Sequence, residues 1–349
     1  MKPDNTLPFF AHYVNDDKIF FSRGTNLFMS DNMGKTWEKL GKIPLSSIDI
    51  LKSSHRLLRR LFRCHIHHIQ PVNKSTLLLF GFGKIFRVQI RETITFKNCG
   101  DIVGRRPLFL CNAGFETFYY GEYKRNSNYD PIRIMGSENG GCTWETVRTI
   151  SNIRHIHGVF HDPYDDAIWV TTGDRDHESG LWVTHDRFIT LEKVVGGDQQ
   201  KRVMQLLFTA NYIYFGSDTG DEKNYLYRMS KKSRRIKRLQ EVNGSVYWGC
   251  KVGNALFFST ALEPSKINKS QDACIWGTFD GEIWKSITHF RKDIWPTTLF
   301  QFGQVLFPVI ENNNGYLWFT PFATNNDQTL QRIAMDKIIS KFADSQYPL

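Results

Sequence analysis

Long apolar runs are missing from this chain of 349 residues. No stretch approaches the roughly 20 residues that a helix needs to cross a bilayer, so no membrane span is expected. The first ten residues, Met1 to Phe10, hold no apolar segment long enough for a secretory signal. A cytoplasmic protein is therefore expected, secreted only if a leader is missing. Cysteine is sparse: Cys64, Cys99, Cys111, Cys142, Cys250 and Cys274 lie far apart with no C-x-x-C pair. That pattern fits reduced thiols rather than a disulfide framework. The sequons at Asn73, Asn243 and Asn268 then carry no meaning. An acidic excess is also absent, since 45 Lys and Arg face 35 Asp and Glu for a net charge of +10. The sharpest basic cluster, Lys231-Lys232-Ser233-Arg234-Arg235-Ile236-Lys237-Arg238, comes with no nucleic-acid module or aromatic platform. It reads as a solvated hairpin turn, and no nucleic-acid partner is expected.

What the chain does have is aromatic content, 14% with nine Trp, and a turn that recurs. Ser30-Asp31-Asn32-Met33-Gly34-Lys35-Thr36-Trp37 and Ser137-Glu138-Asn139-Gly140-Gly141-Cys142-Thr143-Trp144 share the pattern S-x-N-x-G-x-T-W. Thr184-His185-Asp186-Arg187-Phe188-Ile189-Thr190-Leu191 keeps the first, third and seventh positions in kind, and Thr278-Phe279-Asp280-Gly281-Glu282-Ile283-Trp284 is a shortened copy. Successive copies start 107, 47 and 94 residues apart: two units plus 13 residues, one unit, and two units. A strand-rich period of 40 to 50 residues is the mark of a β-propeller. The Asx side chain can bond backbone N–H groups further along the turn, the Gly supplies positive φ, and the Trp packs beneath the hairpin.

The turn resembles the Asp-box, or BNR, repeat of sialidase-like propellers. That resemblance implies an all-β, seven-bladed β-propeller, with six blades as the alternative, forming a single domain over residues 1–349. It also implies that the box is a structural turn on the face opposite the active site. Blades are expected at about 10–45, 64–104, 105–150, 153–195, 203–243, 245–290 and from 297 to the C-terminal region. Residues 46–63 break the pattern, with Leu57, Leu58, Leu61 and Phe62 at helical spacing among Arg56, Arg59, Arg60 and Arg63. A short helical insertion there accounts for the extra residues; it could cover a sheet edge or meet a partner or a membrane surface.

Strand direction alternates within a blade, so the loops Glu122–Asp130, Asp174–Gly180, Asp218–Asn224 and Ala261–Ala273 should gather on one face. The densest chemistry expected there is Arg154-His155-Ile156-His157 with Asp174-Arg175-Asp176-His177-Glu178, echoed by Arg63-Cys64-His65-Ile66-His67-His68. Residues i and i+2 of a strand point the same way, so each H-x-H can present two imidazoles. His155, His157, Asp174, Asp176 and His177 are the catalytic candidates, and His65, His67, His155 and His157 are candidate ligands of a divalent metal cation. Otherwise the ring nitrogens only tie neighbouring blades together. Arg154, Arg175, Arg202 and Lys251 could hold a carboxylate.

The sialidase-like resemblance implies an arginine cluster that grips an acidic sugar and a Tyr–Glu pair, for which Tyr247 and Glu263 are available. The first blade has no Arg-Ile-Pro motif, and Pro131-Ile132-Arg133-Ile134 is a scrambled form of it. The paired histidines look more like propeller lyases that cleave uronic-acid polymers with a bound divalent cation. The segment His155–Asp174 is also similar to Asp-box proteins from bacterial surface-polysaccharide gene clusters. The expected function is that of a monomeric carbohydrate-active propeller, a glycoside hydrolase or lyase, acting on an acidic oligosaccharide or sugar derivative at the channel mouth. The alternative is a non-catalytic propeller that binds a glycan or protein, or serves as an assembly factor.

Overall fold

The computed structural model describes residues 4–7, 9–311 and 315–343. Seven antiparallel-rich sheets make up the architecture, six of four strands and one of five. The fold is a seven-bladed β-propeller with a few short helices; the six-bladed alternative falls. The chain forms two compact units, His65–Arg238 and Met1–Cys64 with Leu239–Leu349.

The unit His65–Arg238 contains blades 2 to 5. In blade 4 the strands His155–Asp162, Ala167–Gly173, Gly180–Thr184 and Glu192–Gly196 pair in chain order. The second strand is buried at every position, while the fourth is half-buried or exposed. This gradient follows from packing sheet on sheet: a blade's inner strands are covered on both faces and so read as continuous apolar runs. Ile134, Ile156, Val159 and Val170 share one core between blades 3 and 4. Trp169, Leu181, Phe215 and Met229 share the next, between blades 4 and 5.

The recurrent turns join third to fourth strands and share one bonding scheme. The amide at the fifth position donates to the first-position hydroxyl, from Gly34, Gly141 and Phe188 at 2.8, 2.9 and 2.9 Å. The amide at the seventh position donates to the Asx carboxyl or amide oxygen, from Thr36, Thr143 and Thr190 at 2.9, 3.0 and 2.8 Å. In the shortened copy Gly281 and Ile283 make the corresponding bonds to Thr278 and Asp280 at 3.0 and 2.8 Å. The fifth position is left-handed in the three full-length copies, with φ of 78° at Gly34, 79° at Gly141 and 75° at Phe188. Phe188 therefore holds a conformation that glycine would adopt without strain. Its buried ring compensates by packing edge-on against Tyr119, at 5.1 Å, where the other copies rely on Trp.

The other unit holds blades 6, 7 and 1. Blade 7 is built from Gln304–Leu306, Tyr316–Phe322 and Leu330–Ala334, and its outer strand comes from the opposite end of the chain, Asp4–Leu7. The short strand Val309–Ile310 runs parallel to Phe10–Val14 and gives blade 1 its fifth strand. The insertion is two helices, Ser47–Ser54 and Arg56–Phe62, rather than one. Ser46 caps the first by accepting from the Asp49 amide, and His55 caps the second by accepting from Leu57. Arg60 is fully buried beneath them, donating to the Phe300 carbonyl at 2.8 Å and to Asp293 at 2.5 Å, with Asp327 at 3.3 Å. All six cysteines are free thiols, and no described helix is long and apolar enough to cross a membrane.

Candidate functional site

The site grows out of an irregularity in the innermost strands. In blade 4 His155 pairs with Gly173 and Ile156 with Thr172, but Gly158 pairs with Thr171, so His157 is the extra residue of a β-bulge. Bulges re-aim a side chain without ending the strand. The same slip leaves His12, His67 and Tyr247 as extra residues in blades 1, 2 and 6. A second regularity meets it, because a carboxylate follows the second strand in four successive blades. Glu122 follows Phe118–Gly121, Asp174 follows Ala167–Gly173, Asp218 follows Tyr212–Ser217, and Glu263 lies two residues after Ala255–Ala261. In blade 4 the bulge and the acid converge.

Asp174 Oδ1 lies 3.3 Å from His155 Nε2, 3.7 Å from His157 Nε2 and 3.6 Å from an Arg202 nitrogen. Its other oxygen is 3.7 Å from Arg154. The two imidazole rings are 5.2 Å apart and inclined by 35°. His155 and His157 are buried, and Asp174 is about one-quarter exposed, with 24% of its side chain accessible. Burial alone would push the Asp174 carboxyl up. The two imidazoles beside it, His155 first, outweigh that and hold the group well below the usual carboxylate range. His155 is held below its ordinary value, chiefly by burial, with Asp174 acting in the opposite sense. Gly173 is required by close approach: a Cβ there would come within 2.6 Å of the His157 ring and 2.8 Å of Arg202.

His157 Nδ1 lies 3.0 Å from the carbonyl oxygen of Val203. A carbonyl only accepts, so Nδ1 carries a proton, and the Nε2 that faces Asp174 either carries a second proton or, on a neutral ring, presents a lone pair to the carboxylate. Two facing acceptors require a proton or a cation between them. Ligand atoms about 2.1 Å from a cation sit about 3.0 Å apart at octahedral angles and about 3.4 Å at tetrahedral ones. The observed 3.3 and 3.7 Å are on that scale. Two imidazoles and a carboxylate, one ring nitrogen already donating to a backbone carbonyl, suit a first-row divalent cation. Among the described residues His155, His157 and Asp174 form the group of three able to hold a metal ion.

Glu178, fully buried, holds this cluster together. Its carboxylate accepts from the Asp174 amide at 3.1 Å, the Arg154 amide at 3.3 Å and the Tyr129 hydroxyl at 2.7 Å. Sequence reasoning counted it among the loop carboxylates without singling it out. Its spacing four residues after Asp174 was the available signal, but burial alone distinguishes it from Asp176. Tyr123, whose ring centre is 4.3 Å from that of His155, was also missed.

The remaining candidates have other partners. Asp176 accepts from Gln199 at 2.8 Å, and His177 is exposed at 60% of its side chain, 3.8 Å from Glu178. Arg175 is exposed, whereas Arg202 also contacts Asp218 at 3.1 Å. His65 and His67 stack edge-on at 4.4 Å and do not belong to the three-residue group. In the other unit Tyr247 donates to Glu263, and Lys251 lies half-buried on the same strand. Arg133 is engaged by Glu122 through two bonds of 3.0 and 3.1 Å. The turn that begins at Lys231 is not simply solvated: the Lys231 side chain, 8% exposed, lies 2.5 Å from Asp162, and Arg234 lies over Trp169.

The fold and site thus define a β-propeller with a His–His–Asp cluster at the entrance to one blade. No family model matches the sequence, and no curated protein does. Solved structures do match in fold. Oligogalacturonate lyase in complex with manganese aligns at a TM-score of 0.58 and 9% identity, over 96% of this chain and 94% of that one. The GH74 xyloglucanase from Xanthomonas campestris aligns at 0.58 and 12%, over 92% of this chain and 52% of that one. YCF48 bound to D1 peptide aligns at 0.57 and 10%, over 96% and 97%. At these identities the likeness is one of fold, and the fold serves both carbohydrate-active and peptide-binding proteins.

Proposed function

We propose that the protein is a carbohydrate-active propeller of the Asp-box, sialidase-like kind. Its acidic sugar substrate would bind at a divalent cation held by His155, His157 and Asp174. The observation that carries this reading is the convergence of His155 Nε2 and His157 Nε2 on one oxygen of Asp174, at 3.3 and 3.7 Å, with His157 Nδ1 already engaged by the Val203 carbonyl. Arg154 and Arg202 flank the same carboxylate and supply the forks that a sugar carboxylate needs. The cation, when bound, would neutralise that carboxylate and acidify the adjacent ring proton. Asp174 is held ionised and so lacks the proton a hydrolase acid must donate. The reaction proposed is elimination, in which a base takes the ring proton, the C=C bond forms as the glycosidic C–O bond breaks, and the leaving oxygen takes up a proton from water. Seven blades acting as one monomeric domain in a reducing compartment fit the six free thiols.

The competing reading is a binding platform, supported by histidine bonds between blades: His157 to Val203, and His68 to the Pro107 carbonyl at 3.0 Å. Mass spectrometry of products from a panel of acidic oligosaccharides, after chelation and with manganese restored, separates the readings. An unsaturated fragment that depends on manganese is expected. Fragments that gain water would mean hydrolysis, and no product from any substrate would leave the platform. Alanine at His155, His157 or Asp174 is expected to lower turnover by more than about 100-fold, since outer-shell losses alone cost about 10- to 100-fold.

A further inference from the structure

The helical insertion is inverted relative to an ordinary surface hairpin. Its arginines Arg59 and Arg60 are buried, while Ile48, Leu51, Leu61 and Phe62 are exposed at 64%, 66%, 39% and 47%. Amphipathic helices bury the apolar side and solvate the charge, so an apolar face left in water marks a surface with a use. The buried arginines explain how the hairpin holds this pose. Arg60 binds Asp293 and the Phe300 carbonyl, and Arg59 donates to Gln328 at 3.0 and 2.8 Å and to the Ser53 carbonyl at 3.0 Å. Leu299, on the short helix Thr297–Phe300 that the second helix packs against, is exposed as well, at 57%.

The rim of this face is cationic. Arg56 and Arg63 are exposed, and Lys52 is half-buried with its ammonium 5.6 Å from the centre of the Phe62 ring. Asp49, the hairpin's one acid, is engaged by the Ser46 cap at 2.7 Å. The exposed apolar residues lie on two short helices. Apolar side chains among Lys and Arg, with the one acid already engaged, match the charge of an anionic headgroup boundary.

We propose that the hairpin Ser47–Phe62 docks the protein onto an anionic lipid surface. Ile48, Leu51, Leu61 and Phe62 enter the interface, and Lys52, Arg56 and Arg63 pair with lipid phosphates. The proposal is independent of the His–His–Asp cluster and its chemistry.

Sedimentation of the full chain with vesicles tests it, using phosphatidylcholine alone and phosphatidylcholine with 30% phosphatidylglycerol. Binding is expected only to the anionic vesicles and should weaken as salt rises. The triple variant K52Q/R56Q/R63Q should bind them about a hundredfold more weakly. The double variant Leu51→Glu with Phe62→Glu replaces exposed side chains, so it should keep the thermal midpoint while losing vesicle binding. Absence of binding to anionic vesicles, equal binding to both kinds, or undiminished binding by the double variant would overturn the proposal. Self-association through this face without lipid binding would overturn it too and make a second copy the occupant.

Discussion

Glu178 has no exposed side-chain surface, yet it fixes the backbone on both sides of the candidate centre through the amides of Asp174 and Arg154. Replacing it by Gln keeps the shape and an oxygen to accept from those two amides, but removes the charge and sets an NH2 group where the Tyr129 hydroxyl now donates. The expected outcome is a folded protein whose manganese affinity, by calorimetry, falls about 10- to 100-fold, as for other outer-shell changes. Affinity unchanged within about twofold would show that the loop holds Asp174 without it. His68 makes a different kind of prediction. Desolvation lowers its value from 6.5 to about 4, although the bond to Pro107 acts in the opposite sense. The native state thus favours the neutral ring, and the unfolded chain binds the proton first as pH falls. The stabilisation is complete above 6.5 and is lost as pH drops from 6.5 toward about 4. The thermal midpoint should decline across that window, and His68→Gln should flatten this part of the profile.

Among the elements, the inner-strand bulges do the aiming. An unbroken strand would also place His155 and His157 on one side, as alternation requires. The bulge adds a residue without an opposite partner and brings the His157 ring to both Asp174 and the Val203 carbonyl. The insertion depends on one buried cation in a similar way. Arg60→Ala would leave Asp293 and Asp327 facing each other in a closed space, where burial already raises Asp327. Removing one partner of a buried pair costs about 3–5 kcal/mol, and urea unfolding should report a loss of that size. A loss below about 1 kcal/mol would place the insertion's stability in its apolar contacts instead.

For the whole molecule, the seven-bladed fold sets the options without choosing among them. Its solved relatives in shape include a manganese-bound lyase, a xyloglucanase and a peptide-bound protein, all at 12% identity or less. Function on such a scaffold depends on what the loop ends carry. Here three blades other than blade 4 carry a carboxylate just after the second strand that an Arg or a Tyr hydroxyl engages, at Glu122, Asp218 and Glu263. Among the described residues, it is in blade 4 that the acid is approached by two imidazoles as well. That asymmetry, in an otherwise repetitive structure, points the product assay to one blade. The net charge of +10 bears on the vesicle experiment, because diffuse attraction to anionic lipid would survive the loss of Leu51 and Phe62 while seated docking would not.

The sequence by itself determined the propeller and its turns. A period near 47 residues and the S-x-N-x-G-x-T-W pattern are local facts, and each turn is closed by side chains within eight residues of one another. It also brought His155, His157 and Asp174 into one short list, since antiparallel pairing sets His155 against Gly173. Tertiary structure decided what depends on register and burial across long separations. It bulged the strand at His157, engaged Asp176 with Gln199 and left His177 exposed, and buried Glu178 at the centre of the loop. It also turned the arginines of the insertion inward, because their partners Asp293 and Gln328 lie more than 230 residues away along the chain. Periodicity records which residues share a face of an element; which face is buried is settled only when distant elements compete for it.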